Sequence, residues 1–213
     1  MDLIQTVQIK HWGLIEYQSL WQKMQHFTRT RTLDTPDEWW LAEHFSVFTQ
    51  GQAGKPEHVL RAGDIPVLKT DRGGQVTYHG PGQLILYTLC DLKRKAIPLK
   101  GLVNAIETAL IALLAEYHVI ARQELTAPGV YVNDAKIASL GLRVHRGCSY
   151  HGLSLNVAMD LEPFTRINPC GYPNRKITQL SDFCPNLKVS DVAPRLIQQL
   201  SRTLNYTTLI EAS

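Results

Sequence analysis

The chain has 213 residues, of which 44% are apolar and 19% charged, with a formal net charge of +3. That length suits one domain over residues 1–213, the apolar share excludes a disordered chain, and a mild basicity whose densest run is Lys93-Arg94-Lys95 argues against a nucleic-acid partner. The opening residues lack a basic segment followed by an apolar one, and no apolar run nears the ~18 residues of a membrane span, so no membrane partner is expected and the cytoplasm is the expected location.

In chain order, apolar residues at three- and four-residue steps (Leu14, Tyr17, Leu20, Trp21, Met24, Phe27) predict a helix over 14–31. Trp39 to Phe48 reads as one strand, and Val67 to Thr70 as a short strand entering a glycine-rich turn. Gln75–His79 and Gln83–Leu89 are extended segments separated by the turn Gly80-Pro81-Gly82. Leu99, Leu102, Val103, Ile106, Leu110, Leu114 and Tyr117 form one stripe and predict a helix over 99–117. Three strands follow: Val130–Val132, a hairpin turn at Asn133-Asp134, then 136–145 and 148–159, the last alternating Leu153, Leu155, Val157 and Met159 with smaller residues. Ser190 is the expected cap of a last helix over about 191–204. Helices and strands do not alternate regularly, so the expected fold class is α+β: a mixed or antiparallel sheet with helices packed against it.

Four places carry possible chemistry. Arg72 to Gln83 holds four glycines; its backbone N–H groups suit a carbonyl or an anion, Arg72 suits a carboxylate or phosphate, and a plain tight turn is the structural alternative. The segment lacks the G-K-[ST] of a P-loop and the G-x-G-x-x-G fingerprint. His79 within it is a candidate base or ligand-orienting group, and His151 likewise precedes a glycine. Lys136 shares the parity of Leu140, Leu142 and Val144, which turns it toward the core or a cleft floor; a bulge at Gly141 would turn it to solvent. Cys170 stands between Pro169 and Gly171 in a sterically open turn that presents the thiol, whereas Cys90, at the end of an apolar strand, reads as a buried small hydrophobe. Cys90, Cys148, Cys170 and Cys184 match no zinc spacing, so free thiols and no metal are expected.

Five segments taken together, R-G-G-Q-V-T-Y-H-G-P-G-Q (72–83), G-V-Y-V (129–132), K-I-A-S-L-G (136–141), H-G-L-S-L-N-V (151–157) and N-P-C-G (168–171), resemble the lipoyl(octanoyl) transferase family. The resemblance implies a fold like that of the biotin and lipoate protein ligases, an α/β sheet with helices on one side. It implies an octanoyl group carried as a thioester on Cys170, with Lys136 as the paired proton acceptor and donor. The substrate-binding segments it implies are Arg72, Gly73, Gly74, Gln75, Val76, Thr77, Tyr78 and His79; Ser139, Leu140 and Gly141; and Gly152, Leu153 and Ser154. It further implies acyl carrier protein as donor, with the acyl group on its phosphopantetheine, and no other cofactor. The implied acceptors are the lipoyl domains of 2-oxoacid dehydrogenase E2 subunits and the glycine cleavage H protein. Hydrogen-bond contact between the Cys170 sulfur and the Lys136 nitrogen is expected, as is an oxyanion held by N–H groups at Gly171 or around Gly73–Gly74.

Overall fold

The computed structural model describes residues 3–124, 127–171 and 175–212, the side chain of Cys170 excepted. The elements are β1 (Thr6–Ile15), α1 (Tyr17–Thr30), β2 (Asp37–His44), β3 (Val47–Gln50), β4 (Val67–Lys69), β5 (Val76–His79), β6 (Gln83–Leu89), α2 (Leu99–Glu116), β7 (Arg122–Gln123), β8 (Gly129–Val132), β9 (Ala135–His145), β10 (Cys148–Asn156), α3 (Val189–Thr203) and β11 (Thr208–Ala212). They build a large sheet in the order β11-β1-β2-β6-β10-β9-β8-β7 and a small one in the order β4-β3-β5. The large sheet is mixed: β1 lies parallel to both β11 and β2, while β2, β6, β10, β9 and β8 pair antiparallel.

Period-two alternation gives the large sheet two buried faces. Leu84 and Leu86 of β6, with Trp39 and Leu41 of β2, face the main core, which α2 closes with Leu102, Ile106, Leu110, Leu113 and Leu114 and α3 with Val192, Leu196 and Leu200. Each such Leu or Ile stabilises the fold by about 1.5–3 kcal/mol. Ile85, Tyr87 and Leu89, with Trp40 and Ala42, face the other way and meet Leu20 and Met24 of α1. Helices therefore cover both faces, not one: α1 supplies a second layer because β2 and β6 are apolar at odd and even positions alike.

Three local expectations shift. The strand expected over Trp39 to Phe48 is two strands, β2 in the large sheet and β3 in the small one, with an exposed Phe45 at the corner where the chain changes sheets. The last helix starts at Val189, with Lys188 rather than Ser190 at its cap; the Lys188 backbone N–H donates to Asp191 Oδ2 at 2.9 Å. A bulge does interrupt β9, but at Ile137 rather than Gly141: Tyr131 opposes Lys136 while Val130 opposes Ala138. Lys136 stays buried, at 3% exposure. The turn at Asn133 forms as expected, with φ +51°. Among the described residues, no helix is long and apolar enough to cross a membrane.

Candidate active site

Where the small sheet leans on the large one, a cavity forms. β5 contributes Val76, Thr77 and His79, β6 Ile85 and Tyr87, β9 Ser139, Leu140 and Gly141, and β10 His151, Gly152, Leu153 and Ser154. The floor is low because register stacks small residues: Gly152 sits opposite Gly141 and Ser154 opposite Ser139. A second, outer cavity shares Gly74, Gln75, Leu140 and Gly141 with the first and is completed by Gly73, Leu99, Val103, Ala127, Pro128, Lys136 and Leu142. The substrate-binding residues expected from sequence thus converge, apart from Tyr78. Its neighbours on β5 line the cavity, but its ring packs between Phe48 and Phe164 and its hydroxyl lies 3.0 Å from Ser46 Oγ.

The glycine-rich loop is held from inside. Arg72 donates through Nε to Thr49 Oγ1 at 3.1 Å, through Nη1 to Gly73 O at 2.9 Å and through Nη2 to Gln75 O at 2.7 Å. The guanidinium therefore shapes the loop, a use different from the carboxylate or phosphate binding its charge suggests. Gly73 N–H donates to Leu142 O at 3.0 Å, which lays the loop on β9; a side chain at Gly141 would press on Gly73 O and the Arg72 stem. Gly171 N–H donates to Asn168 O at 2.9 Å. Of the N–H groups expected at an oxyanion, at Gly171 or around Gly73–Gly74, those of Gly73 and Gly171 are thus taken. Those of Gly74 and Gln75 donate to no group among the described residues.

Two histidines, His79 and His151, line the inner cavity, and a third, His44, packs against His79. His79 Nδ1 donates to Gln83 Oε1 at 2.7 Å and Nε2 accepts from the Thr49 hydroxyl at 3.3 Å. His44 Nδ1 donates to Ile15 O at 2.8 Å and Nε2 accepts from the Tyr87 hydroxyl at 2.7 Å. His151 Nε2 donates to Asp71 Oδ1 at 2.8 Å, and Tyr17 OH lies 3.5 Å from Nδ1. Each ring meets an acceptor on one nitrogen and a hydroxyl on the other, which fixes one neutral tautomer. Burial, aided by neighbouring His44, drops the His79 pKa to about 3, and burial drops His44 to about 4. Burial also lowers His151, against the opposing pull of Asp71. Both His79 ring nitrogens thus have partners within the protein, and burial favours the neutral ring.

Asp71 anchors His151. Burial alone would push its carboxyl up, but hydrogen bonds from His151, Tyr150 and Gln25 together hold it well below the usual carboxylate range. With Trp21 Nε1 donating at 2.8 Å, it ties α1 and β10 to the start of the loop. Sequence reasoning missed Asp71, Tyr17 and Tyr87; adjacency to Arg72 was the only local signal for Asp71.

Lys136 sits at the outer cavity. Its Nζ donates to Pro128 O at 2.9 Å and lies 5.4 Å from the Tyr131 ring centroid. Its backbone is tied to the segment after the cysteine turn, through Lys136 N–H to Lys176 O at 2.8 Å and Thr178 N–H to Lys136 O at 3.0 Å. Pro169–Gly171 form one 3₁₀ turn, and a side-chain carbon at Gly171 would stand 3.4 Å from both Gln75 Cγ and His58 Nε2. The turn that bears Cys170 therefore rests against Gln75, a residue that also lines the Lys136 cavity. The expected contact between the Cys170 sulfur and Lys136 lies outside the described residues. Cys90 is buried as expected, which raises its thiol to about 12, and burial raises Cys148 too.

The two sheets and their flanking helices have the fold of the lipoate and biotin protein ligase catalytic domains. A lipoate-protein ligase A bound with ATP superposes with a TM-score of 0.80 over 98% of this chain and 88% of that one at 14% identity. A biotin protein ligase from Aquifex aeolicus, in its apo form, gives 0.57 over 93% and 69% at 11% identity. At such identities the likeness is one of fold. Sequence goes further. The lipoyl protein ligase A/B catalytic domain family matches residues 16–201. Octanoyltransferases from Shewanella sp. (strain MR-7) and Pseudomonas fluorescens (strain Pf-5) are 53% and 56% identical, over 96% and 95% of this chain and 94% of each relative. The chain belongs to the lipoyl protein ligase A/B catalytic domain family and, within it, to the octanoyltransferases, and so is an acyltransferase.

Proposed function

We propose that this acyltransferase takes an octanoyl group from acyl carrier protein onto Cys170 and passes it to one lysine of a lipoyl domain, acting in the cytoplasm. The donor is the one that the resemblance to the lipoyl(octanoyl) transferases implies, and the chemistry suits it: an acyl group held as a thioester exchanges with a cysteine thiol at nearly balanced free energy, and the later step to an amide is downhill, so neither ATP nor another cofactor is needed. The name octanoyltransferase carried by the relatives supports the acyl group, and the lipoyl protein ligase A/B family supports a lipoyl-protein acceptor.

The steps balance as follows. Cys170 gives its proton to Lys136 and its sulfur attacks the donor's thioester carbonyl; the Gly74 and Gln75 N–H groups, unused within the loop, are the donors for the oxyanion. The carbon–sulfur bond to phosphopantetheine breaks and Lys136 returns the proton to the departing thiol. In the second half the acceptor lysine attacks the Cys170 thioester as a neutral amine, Lys136 takes its proton, and as the carbon–sulfur bond breaks Lys136 passes that proton to the departing Cys170 sulfur, which restores both groups. The apolar tail lies in the cleft, where each buried CH₂ is worth about 0.8 kcal/mol. The histidines at the inner cavity, locked neutral, take no proton in this scheme.

The observation that carries the reading is that Gln75 lines the Lys136 cavity and also abuts the turn that bears Cys170. Intact mass after mixing with octanoyl carrier protein tests it. Wild type, C90A and C148A should each gain one octanoyl unit and C170A none; a loaded C170A protein rejects the assignment. Incorporation of free octanoate that requires ATP would instead favour a ligase.

A further inference from the structure

We infer that Glu107 is a positioning residue for Lys136, acting on it through the Pro128–Gly129 peptide. The inference rests on Lys136 being the proton-transfer group proposed above. Glu107 sits on α2 beside Ile106 and Leu110, on a face otherwise given to the apolar core, and is only 4% exposed. A carboxylate there is costly unless something compensates it. Its Oε1 accepts the Gly129 N–H at 2.8 Å. The carbonyl of that same peptide unit, Pro128 O, accepts from Lys136 Nζ at 2.9 Å. One peptide group thus lies head to tail between a buried lysine and a buried carboxylate, its oxygen toward the positive group and its N–H toward the negative one.

This orientation lets each group polarise the peptide toward the other. Burial pushes the Glu107 carboxyl up, while the Gly129 hydrogen bond and the charge of Lys136 pull it down. The lysine stem lies flat on Gly129, whose φ is +141° and where a Cβ would collide with the stem and with Ala138 O. Among the described residues, two further cations share the Tyr131 ring with Lys136. Arg122 of β7 and Arg175 lie 5.7 Å and 5.4 Å from its ring centroid, and both pair with Glu124, at 3.0 Å and 3.4 Å. Glu107 lies on α2, so its charge reaches Lys136 through the peptide between them.

A glutamine would satisfy the Gly129 N–H as well as a glutamate does. E107Q therefore separates charge from packing. The experiment is single-turnover loading of Cys170 with octanoyl carrier protein from pH 6 to 10, in wild type, E107Q, E107D and K136A, with thermal midpoints measured alongside. For E107Q the alkaline limb of the loading rate should move down by roughly one pH unit. Above that limb the loading rate should fall roughly tenfold, with KM for the carrier protein unchanged. E107D keeps the charge and should keep the wild-type limb even if its rate is lower; it decides the matter should E107Q not fold. An E107Q limb at the wild-type position, or an E107D limb shifted like that of E107Q, overturns the inference while leaving Lys136 in place if K136A is inactive. Loading by K136A at the wild-type rate overturns both readings.

Discussion

The two ends of the site treat buried polarity in opposite ways. At the inner end His44, His79 and His151 are saturated by one acceptor and one hydroxyl each, and burial removes their charge. At the outer end Lys136 and Glu107 are buried just as well, yet each keeps an oppositely charged group one peptide away. The same desolvation that silences an imidazole can be met by pairing when the group is a lysine with a carboxylate in reach. In this account the inner end shapes the cleft and the outer end moves protons.

The largest effect should come from breaking the outer end. G129A places a methyl on the Lys136 stem at a backbone angle alanine avoids; octanoyl transfer should fall by about a hundredfold. The loss of stability, read from urea unfolding, should be about 2–3 kcal/mol. Breaking the inner end should cost stability more than chemistry. D71N turns an amide toward groups that donate to Asp71, and should lower the unfolding free energy read from urea by about 2–3 kcal/mol while raising KM.

The histidines make the inner end sensitive to acid. Their folded pKa values, about 4 for His44 and about 3 for His79, lie below the unfolded value near 6.5. Their contribution is complete above that unfolded value and is lost as pH falls through the folded ones. Unfolding free energy should therefore decline below about pH 6.5, each histidine adding up to about 1.4 kcal/mol per pH unit, and H79Q should show a shallower decline than wild type. The smallest effect is expected at Tyr78, outside the cavity: Y78F should lose about 0.5–1.5 kcal/mol and keep transfer within about twofold.

Much of this was legible in the chain because it is local. The stripe from Leu102 to Leu114 specifies α2 to within a residue, and Asn133-Asp134 specifies its hairpin. The five segments also specified which residues gather around the cleft, since those of 72–79, 139–141 and 152–154 line its two cavities apart from Tyr78. What escaped was long-range. Asp71 is defined by partners on α1 and β10, Glu107 by a peptide 22 residues onward, and neither pairing leaves a periodic mark. Tyr78 escaped for the opposite reason: membership of a motif said nothing about which face of β5 its ring would take. The split at Phe45 escaped because both halves are apolar and extended, so only sheet pairing separates them.

The alkylation rate of Cys170 near neutral pH, compared between wild type and K136A, tests most directly whether the thiol and the lysine work as one unit. The account predicts a fall of at least about tenfold in K136A at Cys170, with Cys148 labelling unchanged. Equal rates at Cys170 in the two proteins would contradict it.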